Sequence, residues 1–169
     1  LSAPLSRAAD DLGADIAGKD LVLLSSPDYF AMRLAQLRKR VEGAPLPHRW
    51  RGLAFGSTPV TVTRTGERTL VLEYEGGILQ EEALQLYRDR RLPMRVGEHV
   101  QLEGLDIEVL AVTRDGRPER AQFRFDAPLE APSFRFYTWR DNGYVAFAPP
   151  RIGGRVQLPT AQLHLALPL

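Results

Sequence analysis

The chain has 169 residues, 44% of them apolar, and a formal net charge of +1 at neutral pH. This length and composition suffice for one globular domain with a hydrophobic core. A near-neutral chain gives no electrostatic reason to expect nucleic acid as a partner. The absence of cysteine excludes disulfides, thiol catalysis and cysteine-ligated metals. The basic residues are mostly arginine, which is typical of a GC-rich bacterial genome.

Residues 1–18 are expected to form a connector or an N-terminal helix. Apolar side chains recur at helical spacing between residues 6 and 17, and Gly18 then ends the pattern. The chain begins without Met, so we expect a processed product or a fragment of a longer protein. A membrane-spanning or targeting segment would then lie outside this sequence.

Residues 19–56 read as a strand, a helix and a second strand. Residues 21–24 are continuously apolar, which predicts a strand buried on both faces. The following helix is expected from Tyr29 to Val41 and is ended by Gly43. Four apolar residues recur on it at helical spacing and are expected to face the core: Phe30, Leu34, Leu37 and Val41.

Residues 57–169 read as an antiparallel β part. Short runs of alternating apolar and polar residues recur there between turn signals. The clearest is a three-stranded meander over residues 96–125, with turns at Gly104 and Gly116. A short helix over residues 81–91 and a closing strand over residues 163–169 are also predicted.

The predicted fold class is therefore α+β, dominated by antiparallel sheet. We expect a β sandwich or a partly open barrel, with the N-terminal strand–helix unit packed on it. Residues 19–169 are expected to form a single β-rich domain.

Ser25, Ser26 and Asp28 follow a buried strand and precede a helix, where ligands bind in open α/β sheets. One hypothesis is a small hydrolase acting at this loop, with His48 as the base. The nucleophile-elbow pattern G-x-S-x-G is absent, however. The alternative is that these residues only cap the helix.

Arginine and aromatic residues alternate on two segments of the β part. Arg124, Arg135, Tyr137 and Trp139 could together form a sheet face that binds a base, a sugar or an anionic group. The alternative is that the aromatic residues belong to the core and the arginines to the surface, because successive side chains on a strand point to opposite faces.

No metal and no cofactor are expected. His48, His99 and His164 are far apart in the sequence and lack partners at metal-ligand spacing. Neither a phosphate-binding loop nor a dinucleotide-binding glycine pattern is present.

Two stretches carry a resemblance to a known group of proteins. The first is residues 19–30 (KDLVLLSSPDYF), followed by Arg64 and residues 69–72 (TLVL); the second is residues 96–100 (VGEHV), followed by residues 115–118 (DGRP) and 123–125 (FRF). Together they resemble the soluble C-terminal region of large bacterial multi-pass membrane proteins.

The resemblance implies a non-enzymatic accessory domain, membrane-associated and on the periplasmic or otherwise extracytoplasmic side. Its expected partner is the transmembrane part of the same polypeptide or another membrane protein. It supplies no catalytic residues, and a cytoplasmic location is the alternative.

Overall fold

The computed structural model describes residues 10–56, 58–78 and 93–162, which form two compact units. The first unit takes the described residues up to position 56 together with 132–148 and 159–162. The second unit takes 58–78, 93–131 and 149–158. The chain leaves the first unit after the predicted strand–helix–strand part, residues 19–56. It returns to this unit at residue 132 and again at residue 159.

The described residues contain one 3-10 turn, one α-helix and ten strands. They are the 3-10 turn Ala14–Ile16, the helix α1 (Tyr29–Val41), and the strands β1 (Asp20–Leu23), β2 (Arg49–Gly52), β3 (Val60–Gly66), β4 (Thr69–Tyr74), β5 (His99–Leu102), β6 (Leu105–Val112), β7 (Pro118–Phe125), β8 (Phe134–Arg140), β9 (Gly143–Ala146) and β10 (Arg155–Leu158). No helix among the described residues has the length and hydropathy needed to cross a bilayer.

The first unit is built on a four-stranded sheet in the order β2-β1-β8-β9. β1 runs parallel to both β2 and β8, while β8 and β9 form an antiparallel hairpin. The β8–β9 hairpin agrees with the antiparallel pairing predicted for residues 57–169, whereas the parallel pairing of β8 with β1 was not predicted.

The connection from β1 to β2 is the helix α1, as the sequence predicts. Asp28 is its N-cap, and Gly43 follows it with a φ of 64°, a left-handed conformation that glycine adopts without steric cost. The predicted N-terminal helix is not continuous through residue 17, because the chain bends after Asp10 before the 3-10 turn Ala14–Ile16.

The helix α1 buries the side opposite to the predicted one. Ala31, Met32 and Ala35 are buried. Phe30 and Val41 are instead 63% and 79% exposed, and Leu37 is also exposed. We call Phe30, Leu34, Leu37 and Val41 the α1 stripe. The buried side therefore carries two alanines and Met32, while three residues of the stripe are exposed and Leu34 is partly buried.

The second unit is built on one six-stranded antiparallel sheet in the order β10-β3-β4-β7-β6-β5. One face of this sheet is buried and consists of side chains that alternate along the strands: Val60, Val62, Arg64, Leu70, Leu72, Tyr74, Leu105, Val109, Ala121, Phe123 and Phe125. The other face carries mostly polar side chains and also the buried Val71. The predicted meander is confirmed as β5, β6 and β7, with positive φ at both Gly104 and Gly116.

The predicted α+β class is confirmed, and strands dominate. Neither sheet closes into a barrel within the described residues, which is consistent with a sandwich or an open barrel. The predicted helix at 81–91 and the predicted strand at 163–169 lie outside the described residues.

Candidate functional site

Ser25 lies at the carboxyl end of β1, between the parallel strands, and its hydroxyl group is buried. Its Oγ lies 2.8 Å from Oγ1 of Thr138 and accepts a hydrogen bond from the backbone N–H of Trp139 at 3.2 Å. Ser25 and Thr138 are 4% and 1% exposed. This serine therefore joins the end of β1 to β8 through hydrogen bonds.

Ser26 makes a second buried hydroxyl pair. Its Oγ donates to the carbonyl oxygen of Asp28 at 3.1 Å and lies 2.7 Å from the hydroxyl oxygen of Tyr144. Because a serine hydroxyl carries one hydrogen, Tyr144 must be the donor in the shorter bond. Burial raises the pKa of Tyr144, so this phenol keeps its proton at neutral pH.

Asp28 acts as the N-cap of α1. Its Oδ1 accepts a hydrogen bond from the backbone N–H of Ala31 at 2.6 Å. This bond satisfies one of the N–H groups that a helix leaves without a partner at its start. The carboxylate has a complete structural role in this position.

His48 lies at the opposite end of β1 from the two serines. Its Nδ1 is 3.2 Å from Oδ1 of Asp20, the first residue of β1, and Asp20 also accepts a hydrogen bond from Arg49 at 2.7 Å. Five residue steps of extended strand separate Asp20 from Ser25, which is about 16 Å. The structure therefore does not bring His48 to Ser25 or Ser26.

The aromatic residues of the proposed binding face belong to the interior of the first unit. Trp139 is 1% exposed, and its Nε1 donates to the carbonyl oxygen of Gln162 at 3.0 Å. Tyr137 is also buried, and its hydroxyl donates to Asp15 at 3.3 Å. Arg135 donates from Nε to the other oxygen of Asp15 at 3.0 Å. Asp15 thus holds two of these side chains on the same carboxylate.

Arg124 lies on a different sheet, in the second unit. Its Cα partners are Thr69 on β4 and Asp106 on β6, and its side chain is exposed. The four residues predicted to share one face are therefore divided between two sheets, so that Arg124 has to be considered separately from Arg135, Tyr137 and Trp139.

Two depressions in the polar face of the second unit share Arg68 and Arg124. Thr65, Thr69, Gln122 and the acidic Glu67 also line one of them. The other continues toward β5 and β6 and includes Asp106 and Asp126. Arg68 donates to the carbonyl oxygen of Asp126 at 3.1 Å. Arg124 is exposed, and its guanidinium group makes no hydrogen bond or ion pair with another of the described residues.

The α1 stripe was visible in the sequence but was assigned to the core. Arg33 and Arg40 are exposed on the same side of the helix. Arg38 is committed to ion pairs with Asp10 at 3.1 Å and with Glu42 at 2.7 Å. The exposed side of α1 therefore combines apolar side chains with two cations.

The buried partners of the serines, Thr138 and Tyr144, were not identified from the sequence. They lie more than a hundred positions from Ser25 and Ser26, and only the parallel pairing of β1 with β8 reveals the relationship. A parallel pair joined by a long connection leaves no local signal comparable to a hairpin turn.

The described residues contain no group of three or more His, Asp or Glu side chains placed to hold a metal ion. His99 forms an exposed pair with Asp106, with Nδ1 and Oδ1 3.2 Å apart. His164 lies outside the described residues.

Comparisons with protein-family models, curated proteins and solved structures give no match.

Proposed function

We propose that the chain is a non-enzymatic interaction domain of a larger, membrane-associated bacterial protein. The observation that carries this proposal is the α1 stripe, whose residues Phe30, Leu37 and Val41 are all more than half exposed. The largest contiguous apolar patch on a soluble domain is often a functional surface that another molecule covers. The stripe lies on a regular helix with a satisfied N-cap, so it is presented by an ordered element.

The positions of the two serines support the same proposal. A hydrolytic serine needs a base within hydrogen-bond reach and an approach for its substrate. Ser25 and Ser26 instead use their hydroxyl groups to hold β8 and β9 beside β1. The proposal therefore assigns the interaction to the helix surface.

The proposed partner is the transmembrane part of the same polypeptide or another membrane component, on the extracytoplasmic side. The arginines beside the stripe favour a partner that is both apolar and negatively charged, because opposite charges align an interface and like charges oppose it.

Fractionation of cells that express the full-length gene product tests this function. A photo-activatable phenylalanine analogue placed at position 37 would report what covers the stripe, with the same group at position 102 as the control. Leu37 and Leu102 are matched, since they are 56% and 48% exposed and lie in different units. We expect the product in the membrane fraction and membrane-derived adducts at position 37. A product that stays in the soluble fraction would contradict the proposal.

A second candidate function is the binding of a small anionic ligand by the second unit. The observation that favours it is the exposed guanidinium group of Arg124, which lines two depressions together with Arg68. Arginine binds carboxylate and phosphate oxygens through paired N–H donors. The hydroxyl groups of Thr65 and Thr69 would add neutral donors to such a site.

Calorimetric titration of the 169-residue chain with sulfate, phosphate and glutarate tests this candidate. The Arg124→Gln variant should lose the binding of whichever anion is taken up, because it removes an exposed cation that lines both depressions. Arg114→Gln is the matched control, since Arg114 is also exposed in the second unit. Equal binding by wild type and Arg124→Gln would refute this candidate.

A further inference from the structure

We propose that the α1 stripe docks on the surface of an anionic phospholipid bilayer, with α1 lying parallel to the membrane plane. This inference rests on the proposed function, because it names the partner of the same surface. Helices that bind at the bilayer interface combine a row of large apolar side chains with adjacent Lys or Arg residues. The exposed side of α1 has this arrangement.

The charge of the helix favours an anionic surface. α1 has the sequence YFAMRLAQLRKRV and contains no acidic residue. Arg33 and Arg40 are exposed on the side of the stripe, and Arg38 is held by Asp10 and Glu42. The two outward-facing arginines would sit at the level of the lipid headgroups, because long basic side chains can extend from a partly inserted helix to the polar region.

The dimensions of the stripe also fit a shallow lipid contact. Phe30 and Val41 are eleven residues apart on α1, which corresponds to about 16 Å along a helix axis. Phe30, Leu37 and Val41 are 63%, 56% and 79% exposed, so these three side chains offer roughly 300–400 Å² if each has about 150–200 Å² of surface. A standard protein interface buries about 800 Å² on each partner. The stripe alone falls well below that value.

A second copy of this chain is a poorer partner than a bilayer. The stripe is small for a protein interface, and the charges beside it would repel each other. In a two-fold symmetric contact, the same patch faces itself. When the two helices are antiparallel, Arg33 and Arg40 of one copy would approach Arg33 and Arg40 of the other, with no acidic residue of α1 to offset the repulsion. An anionic bilayer supplies both the apolar layer and the opposite charge.

Sedimentation of the 169-residue chain with lipid vesicles tests the inference. One set of vesicles contains phosphatidylcholine alone, and the other contains equal parts of phosphatidylcholine and phosphatidylglycerol. We expect binding to the anionic vesicles, weakening as salt is added. Arg33→Gln and Arg40→Gln should each weaken it about fivefold, the effect of one basic residue near a charged membrane surface. Leu37→Ser should weaken it about tenfold, the effect of removing one large inserted apolar side chain.

Matched variants in the second unit separate these effects from general changes in charge or hydropathy. Arg114→Gln and Arg151→Gln remove the same charges at exposed positions, and Leu102→Ser removes an equally exposed leucine. These three variants should bind the anionic vesicles as tightly as wild type. Thermal melts of all variants establish that the substitutions leave the fold intact.

Three results would overturn the inference: no sedimentation with anionic vesicles, sedimentation that Leu37→Ser leaves unchanged, or a dimer in sedimentation velocity that Leu37→Ser abolishes. The inference would also be overturned if the full-length product is in the membrane fraction but position 37 crosslinks to protein and not to lipid. The proposed interaction function would stand in that case. A soluble full-length product would instead contradict the proposed function itself. The two failures are therefore distinguishable.

Discussion

The side chains of Ser25 and Thr138 share a 2.8 Å hydrogen bond although 113 positions separate them in the chain. Ser25 Oγ also accepts the backbone N–H of Trp139. Ser25→Ala would leave two buried polar groups without this partner, and a buried unsatisfied group costs about 1–3 kcal/mol. We expect a loss of that size in the free energy of unfolding, measured by denaturant titration. The exposed Ser133→Ala variant is the control and should unfold as wild type; an equal loss in both would contradict the assignment.

Alkaline pH should destabilise the fold through Tyr74 and Tyr144. Burial raises the pKa of both phenols in the folded state, while in the unfolded chain a tyrosine titrates near pH 10. The unfolded state therefore loses these protons first, and stability falls as pH rises above about 10. Denaturant titrations between neutral pH and pH 11, together with tyrosinate absorbance, would measure this.

Tyr144→Phe and Tyr74→Phe should each make that alkaline decline less steep, because each removes one proton that only the folded state retains. Tyr29→Phe is the control, because the side chain of Tyr29 is only partly buried. An unchanged slope in both buried variants would show that other groups control the alkaline transition.

Arg64 joins three segments of the second unit. Its guanidinium group makes a bidentate ion pair with Glu130, in which Nη2 lies 2.9 Å from Oε2. Nε also donates a hydrogen bond to the carbonyl oxygen of Gly66 at 3.0 Å. Nη1 donates to the carbonyl oxygen of Pro150 at 3.3 Å. Arg64 is 4% exposed. We expect Arg64→Met to lower the free energy of unfolding by about 2–4 kcal/mol, because several charge-assisted hydrogen bonds are lost together.

The same ion pair should give an acid dependence. The Arg64 guanidinium lowers the pKa of Glu130 below its ordinary value, so the stabilisation is complete above that ordinary value and is lost as pH falls through the lower, folded-state pKa. Glu130→Gln should remove this component of the acid titration. If wild type and Glu130→Gln lose stability equally on acidification, the ion pair does not contribute.

The two sides of α1 should respond differently to truncation. Met32 is 6% exposed and packs in the core of the first unit, so Met32→Ala should lower stability by about 2–5 kcal/mol. Leu37→Ala should change it by no more than about 0.5 kcal/mol, because the side chain is already largely in water. Thermal and denaturant unfolding of the two variants decide which side faces the core, and the reverse order would contradict the structure.

Gly116 should not tolerate a side chain. Its φ is 75°, and a Cβ at this position would lie 2.3 Å from Cβ of Pro93. Gly116→Ala therefore combines backbone strain with a steric clash at the turn between β6 and β7, and we expect a loss of about 1–3 kcal/mol. Gly97→Ala is the control: its φ is also positive, but a Cβ there meets no atom within 4 Å. Equal effects would assign the whole cost to the backbone.

Local signals in the sequence were sufficient for much of the fold. The Asp115–Gly116 pair indicated a hairpin turn because glycine adopts positive φ readily, and the alternation of Phe123 and Phe125 with Arg124 indicated one buried sheet face. Asp28 and Gly43 marked the two ends of α1 correctly. Each of these features depends on residues close together in the chain.

Features that depend on distant residues could not be predicted in this way. The parallel pairing of β8 with β1 has no turn that reveals it in the sequence, so the sequence left Trp139 either on a binding face or in the core, where the structure has it. The spacing of Phe30, Leu34 and Leu37 indicated a helix. The smaller apolar residues Ala31 and Ala35 also lie at helical spacing, on another side of the same helix. Periodicity alone did not decide between the two sides, because both carry apolar residues at helical spacing.

The order of the strands has a consequence during synthesis on the ribosome. β1, α1 and β2 emerge early, but β8, the strand that covers the other edge of β1, follows only after residues 58–131 have been made. Until then the nascent chain carries an apolar strand with one edge open, which is a hazard for pairing with other chains. The second unit can pair β3 through β7 in that interval, although its edge strand β10 is still missing. A cell producing this protein therefore has to keep the first third of the chain from aggregating while the rest is translated.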